Sequence, residues 1–153
     1  MGCFLLMILT DGGIHEREVY YVTTDKTLAT LFTELSRTLW SITPMIMHYK
    51  RGKHSWMKLR IKNSLIAETA AKLTKNKMKI PEFIANETDS HILSKYLKIV
   101  ASTDGGIAFY RNKRKDGYTR TERHVIIGCK NTTIQKQLQE MFSRLGIKTR
   151  IVR

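Results

Sequence analysis

Two aspartates sit in the same five-residue string. Thr10-Asp11-Gly12-Gly13-Ile14 recurs as Thr103-Asp104-Gly105-Gly106-Ile107, an offset of 93 residues. Each string follows an apolar stretch with helical character, Phe4 to Leu9 and Ile92 to Ala101. Each carboxylate therefore falls near a helix C-terminus, facing the negative end of the helix dipole. That placement costs roughly 0.3–1 kcal/mol. A sequence that accepts the cost twice, at equivalent positions, points to a nearby cation. If the two helices pack side by side, the aspartates arrive together and repel unless a divalent ion bridges them. Mg²⁺ suits such a pair, being a hard ion held by one or two carboxylates, water and phosphate oxygens. Ions held in this way hydrolyse phosphodiesters.

The elements around the aspartates also repeat. After Asp11 come a β-type run, Val19 to Thr24, then Asp25 as a helix N-cap. The helix that follows carries Leu28, Leu31, Phe32, Leu35 and Leu39 on one face. After Asp104 come Ile107 to Tyr110, then Val125 to Cys129, then Asn131 as the matching cap. That second helix carries Ile134, Leu138, Met141 and Leu145, with Gly146 as its stop. Asn131 and Asp25 differ by 106 residues, so the second copy holds a 13-residue insertion. In the first copy, Met45 to Lys50 and Ser55 to Lys62 read as strands around Arg51-Gly52-Lys53. A helix capped by Asn63 or Ser64 follows them. In the second copy Ser90 is the expected cap of the motif helix, and one further strand is expected over Ile147 to Val152. The expected organisation is α+β: two pseudo-symmetric αββαββα repeats, the second shortened, with antiparallel saddle-shaped sheets and helices on one face. The repeats span 1–75 and 90–153, joined by a linker at 76–89.

The chain is strongly basic. Its 153 residues hold 27 Lys and Arg against 13 Asp and Glu, a net charge of +14. Such an excess repels itself in the folded state, and phosphate neutralisation relieves it. The basic residues cluster. Lys50, Arg51, Lys53, Lys58, Arg60 and Lys62 fall in one stretch without an acid. There Trp56, Lys58, Arg60 and Lys62 alternate with the apolar Met57, Leu59 and Ile61. Arg111, Lys113, Arg114, Lys115, Arg120 and Arg123 form the second cluster. Asp116-Gly117 reads as a two-residue hairpin turn. It would pair Lys115 with Tyr118, Lys113 with Arg120 and Arg111 with Glu122, making the insertion a long basic ribbon. A two-stranded ribbon fits the major groove of B-DNA.

Other classes fall away. Cys3 and Cys129 have no partners at metal-site spacing, so a disulfide scaffold and a zinc finger are excluded. The apolar start lacks a basic flank and is shorter than a membrane span, and a soluble intracellular protein is expected. Leu6 stands where an N-myristoylation signal needs Ser or Thr. The strands carry no RRM-type aromatic pattern. None of the five histidines suggests chemistry by itself.

Helix, Asp-Gly, then sheet, duplicated in one chain, resembles the LAGLIDADG homing endonuclease family in its single-chain form. The matching segments are Phe4-Leu-Leu-Met-Ile-Leu-Thr-Asp-Gly12 and Leu97-Lys-Ile-Val-Ala-Ser-Thr-Asp-Gly105. The family's small helix-contact residues appear here as Leu6 and Ile99. The resemblance implies a monomeric, Mg²⁺-dependent, sequence-specific endonuclease that cuts double-stranded DNA across the minor groove. It implies Asp11 and Asp104 as metal ligands, helped by the carbonyls of Thr10 and Thr103, with Lys62 and Lys130 as supporting catalytic residues. Lys50, Arg51, Lys53, Trp56, Lys58, Arg60, Arg111, Lys113, Arg114, Lys115, Arg120 and Arg123 become the DNA-binding set. The competing reading keeps the scaffold without cleavage, as an RNA maturase acting on intron RNA or a DNA-binding regulator.

Overall fold

The computed structural model describes residues 1–113, 115 and 117–151, with the side chains of Asn112 and Arg120 outside the description. Its centre is the first helix, α1 (Gly2–Leu9). Phe4, Leu5, Leu6, Met7 and Ile8 are each no more than 1% exposed. A helix that is apolar on every side must be enclosed on every side. Each such side chain contributes roughly 1.5–3 kcal/mol of transfer free energy. The enclosing elements are β1 (Gly12–His15), β2 (Glu18–Thr23), α2 (Lys26–Trp40), α3 (Ser64–Thr74) and α5 (Ser90–Asp104). Phe4 stacks on Phe32 with ring centroids 4.9 Å apart, and Trp40 closes its edge at 4.4 Å.

The first repeat builds one antiparallel sheet in the order β1-β2-β4-β3, with β3 at Met45–Arg51 and β4 at His54–Lys62. The expected alternation along β4 holds. Leu59 and Ile61 are buried against the helices, while Trp56, Lys58, Arg60 and Lys62 take the outer face with Tyr20 and Val22 of β2. The β3–β4 turn is Gly52-Lys53, with Gly52 in the left-handed region at φ 59. The expected caps are in place. Asp25 accepts from Thr27 and Leu28 at the start of α2, and Asn63 accepts from Ile66 at the start of α3. The cap of α5 is Asp89 rather than Ser90. Its carboxylate reaches the free N–H groups of His91 and Ile92, and Ser90 already lies inside the helix.

The second repeat has two strands among the described residues, β5 (Gly105–Lys113) and β6 (Thr119–Ile127), followed by α6 (Thr132–Arg144). Asn131 caps α6 as expected, accepting from Thr133 and Ile134. The insertion is the lengthened β5–β6 ribbon. Its register differs from the two-residue hairpin by one position. Lys113 faces Thr119, Arg111 faces Thr121 and Tyr110 faces Glu122. Both Arg114 and Asp116, in the expected turn, lie outside the described residues. A one-residue slip changes which side chains share a face. Arg111, Lys113 and Arg123 therefore share a side with Phe109 and Val125, and Tyr110, Glu122 and His124 share the other.

The strand expected over Ile147 to Val152 does not form in the described part, 147–151. Gly146 turns the chain at φ 73, and the Gln139 amide donates to the Thr149 carbonyl, holding the segment back against α6. A strand needs a ladder partner, and this anchoring keeps the segment from one. The stretch between the repeats is more than a spacer. It contains a short helix, α4 (Glu82–Ala85), and Ile80 and Ile84 are buried in the common core. Gln137 of α6 bonds both the N–H and the carbonyl of Ile80, at 2.8 and 2.9 Å. Arg144 donates to the carbonyl of Ala85.

Candidate functional site

Both aspartates stand where a motif helix hands over to a strand, and the handover is built twice alike. The Thr10 hydroxyl donates to the carbonyls of Leu6 and Met7 at 3.0 and 3.1 Å. The Thr103 hydroxyl does the same to Ile99 and Val100, at the same distances. The proton of each hydroxyl is spent on the last helical turn. One strand over, Val22 donates its N–H to the Asp11 carbonyl at 3.1 Å, and Gly128 donates to the Asp104 carbonyl at 3.0 Å. The following glycines are required by contact. A Cβ on Gly12 would come within 2.6 Å of the Ile8 Cα and the Tyr20 carbonyl oxygen. One on Gly105 would come within 2.2 Å of the Ala101 carbonyl oxygen. The Asp-Gly pair lets the strand leave against its own helix.

Helices α1 and α5 pack together, with Leu6 and Ile99 buried. The two carboxylates consequently share one environment. Asp104 is pushed up to about 6, first by burial and then by the charge of Asp11, while Lys77 pulls it down. Asp11 is also raised by burial, against the opposing pull of Lys77. Lys77 is lowered by its own burial and held up by Asp104 and Asp11. Its ammonium donates to the Gly12 carbonyl at 2.6 Å. Burial pushes the Tyr21 hydroxyl up to about 12, against a pull from Thr23 and with smaller contributions from the charges of Asp11, Asp25 and Asp104.

Lys77 is the residue beside the pair that sequence reasoning passes over. It lies in a turn where Lys75, Asn76 and Lys77 all have left-handed backbone, at φ 46, 53 and 68. Non-glycine residues enter that region at a cost and persist only when their surroundings hold them there. The holder is the buried Thr74. Its hydroxyl donates to the Ala70 carbonyl and accepts from the Lys77 N–H, while its carbonyl accepts from Met78 and Lys79. In the sequence Lys77 is one of three lysines at alternate positions, Lys75, Lys77 and Lys79. Only tertiary structure singles it out.

The donor set suits a hard divalent ion such as Mg²⁺. Two carboxylates and main-chain carbonyls supply oxygen alone, and one lysine leaves the pair short of positive charge. Among the described residues no group of three or more His, Cys, Asp and Glu side chains gathers, so a closed transition-metal site is not formed. Cys3 and Cys129 are both free thiols. Beside the pair opens a cavity of about 410 Å³, lined by Asp11, Val22, Thr23, Thr24, Asp25, Leu28, Trp56, Ser102 and Thr103. It joins Asp11 to the outer face of the first sheet through Val22 and Trp56.

No known family profile and no curated protein matches the sequence. Solved structures do. The chain is similar to the homing endonuclease I-DmoI, solved in complex with DNA and Mn, at a TM-score of 0.60 and 13% identity. The match covers 99% of this chain and 80% of that one. A structure of mesophilic variants of I-DmoI matches at a TM-score of 0.58 and 14% identity, covering 96% of this chain and 77% of that one. I-WcaI, bound to its DNA recognition sequence, matches at 0.50 and 14% identity over 74% of this chain and 54% of its own. The fold is that of the LAGLIDADG homing endonucleases.

On this homing-endonuclease fold the sequence-predicted residues are distributed unevenly. Asp11 and Asp104 come together, with Thr10 and Thr103 at the same helix ends. Lys130 lies two residues beyond Gly128, which bonds Asp104, and is exposed near the second aspartate. Lys62 is not brought to the pair. It faces Glu18, four residues along β2 from Val22, which is about 13 Å of strand. Lys58 and Trp56 lie on the outer face, with Lys50, Arg51 and Lys53 at its tip. Arg60 is there too, but it pairs with Glu18, its Nε bonding the carboxylate at 3.1 Å. Arg111, Lys113, Lys115 and Arg123 are exposed along the ribbon. Arg114 and the side chain of Arg120 lie outside the described residues. No helix among the described residues is long and apolar enough to cross a membrane.

Proposed function

We propose that this protein is a sequence-specific, Mg²⁺-dependent endonuclease that hydrolyses phosphodiesters of double-stranded DNA across the minor groove and acts as a monomer. The observation that carries the reading is the convergence of Asp11, Asp104 and Lys77 at one end of the α1–α5 pair, beside a cavity that opens onto a basic sheet. Asp11 and Asp104 would hold the ion, with the carbonyls of Thr10 and Thr103. Bound there, Mg²⁺ supplies a nucleophilic water at neutral pH and offsets charge on the phosphate oxygens. Lys77 offers its ammonium to the extra negative charge of the attacked phosphate and keeps the two carboxylates from full mutual repulsion. Lys130 is placed to take a backbone phosphate near the second aspartate. Lys62, far from the pair, suits a phosphate contact rather than catalysis. Lys50, Arg51, Lys53, Lys58 and the ribbon cations carry the remaining backbone contacts, which position the duplex without reading its sequence. The solved homing endonucleases of the same fold, complexed with DNA, support the duplex as the substrate.

One observation favours a second reading. Among the described residues the second repeat has a two-stranded sheet where the first has four, so its described reading surface is smaller. That fits a nucleic-acid-binding protein that no longer cleaves, including one acting on intron RNA. Incubation with a library of duplex targets and Mg²⁺ separates the two. Cleavage that vanishes in Asp11→Asn and Asp104→Asn, with binding kept, supports the enzyme. Tight binding by the wild type without a nick at any target assigns the protein to the second class.

A further inference from the structure

The outer face of the first sheet is basic only in part. Along its edge strand β3 the outward positions are Met45, Met47 and Tyr49, which face Arg60, Lys58 and Trp56 across the ladder. Two of the three outward cations of β4 are engaged within the sheet. Arg60 pairs with Glu18, and the Lys58 ammonium lies 4.0 Å from the centre of the Tyr20 ring. What β3 turns outward is thioether and aromatic surface. Met45 is 55% exposed, and the half-buried Met47 accepts at its sulfur from the Arg60 guanidinium at 3.6 Å and the Tyr49 hydroxyl at 3.7 Å.

This row continues into the site already described. Tyr49 stacks on Trp56 with centroids 5.7 Å apart and planes 9° apart, and Trp56 lines the cavity beside Asp11. A duplex lying along this row would pass the cavity beside Asp11. The thioether sulfur donates no hydrogen bond and accepts only weakly. Methionine therefore cannot follow the donor and acceptor pattern of base edges. The major groove presents one prominent apolar group, the 5-methyl of thymine.

Resting on the duplex-DNA reading above, we propose that Met45 and Met47 form a specificity row that reads thymine methyl groups in the half-site under the first sheet. The cations at the tip of the sheet hold the backbone, and the methionine row discriminates. Each methyl taken fully out of water favours binding about fourfold.

Selection from a randomised duplex pool, followed by uracil-for-thymine replacement in the selected site, tests this. The expected result is thymine enrichment in one half-site and severalfold weaker binding of the uracil duplex by the wild-type protein. The Met45→Ala/Met47→Ala double variant should bind thymine and uracil duplexes alike, with circular dichroism unchanged because both side chains lie on the outer face. Selected sites without thymine preference overturn the proposal while leaving the endonuclease reading in place. So does an equal uracil penalty in wild type and variant. Failure to select any duplex overturns both.

Discussion

At the scale of single residues, the site is a store of unfavourable electrostatics. Asp104 has its carboxyl pushed up to about 6 from an ordinary 3.8. The folded state then binds a proton more tightly than the unfolded chain. Stability from this group is full below about pH 4 and is lost as pH rises toward 6. Urea unfolding of the metal-free protein should show that decline between pH 4 and 6. Asp104→Asn should flatten it and raise stability at pH 7.5 by on the order of 1 kcal/mol, discounted because the carboxyl stays partly open to water. The same variant should abolish cleavage and lose stabilisation by added Mg²⁺. Lys77→Met makes the opposite prediction for the slope. Without its pull the carboxyls should titrate at higher pH, moving the decline in the alkaline direction. Cleavage should fall by at least a hundredfold while duplex affinity changes little, as measured by single-turnover kinetics beside a binding titration.

At the scale of elements, the two helix-to-strand handovers fix the geometry. Both depend on a glycine that lets the strand depart against its own helix. Gly105→Ala would drive a Cβ to 2.2 Å from the Ala101 carbonyl oxygen, a backbone atom that cannot step aside. A loss of about 1–3 kcal/mol is expected, read as a lower urea midpoint at unchanged slope. Gly106→Ala is the control, since a Cβ there meets nothing within 4 Å. The linker acts as an element too. Thr74 twists the Lys75–Lys77 turn into left-handed backbone, and Asn131, the cap of α6, donates to the Met78 carbonyl at 3.0 Å just beyond it. The chain that delivers Lys77 is thus clamped from both repeats.

At the scale of the whole molecule, the repeats are equivalent at the aspartates and unequal beyond them. In the first repeat, α3 covers β1 and β2, and Val19 is fully buried. In the second, the ribbon's corresponding face carries Ile107, Phe109 and Val125 at 69%, 65% and 68% exposure. The described residues contain no counterpart of α3, β3 and β4 to cover it. The ribbon is therefore held at its base and supported little along its length. Deleting 111–123 while closing the hairpin should leave the urea midpoint nearly unchanged but shorten the DNase footprint on one half-site. Duplex affinity of the intact protein should also fall steeply with salt, as phosphate contacts release counterions, and the deletion should make that dependence shallower.

The sequence alone determined what local chemistry controls. A repeated Asp-Gly after an apolar helix, caps at Asp25, Asn63 and Asn131, and strict alternation along β4 are all written within a few residues of where they act. The 13-residue offset even located the insertion. Ladder register is not local in this way. Lys113 pairs with Thr119 rather than Arg120, one step from the expected register, and periodicity alone does not fix register. The family resemblance made Lys62 a catalytic candidate, yet pairing with β2 sets it opposite Glu18, at the far end of that strand from Val22. Lys77 looked like any linker lysine. Only packing of α3 against the first sheet, a buried threonine and three left-handed residues bring its ammonium to two carboxylates 66 and 27 residues away in the chain. Charge interacts through space, so residue types announce a pair of carboxylates, but the folded chain decides which cation stands beside it.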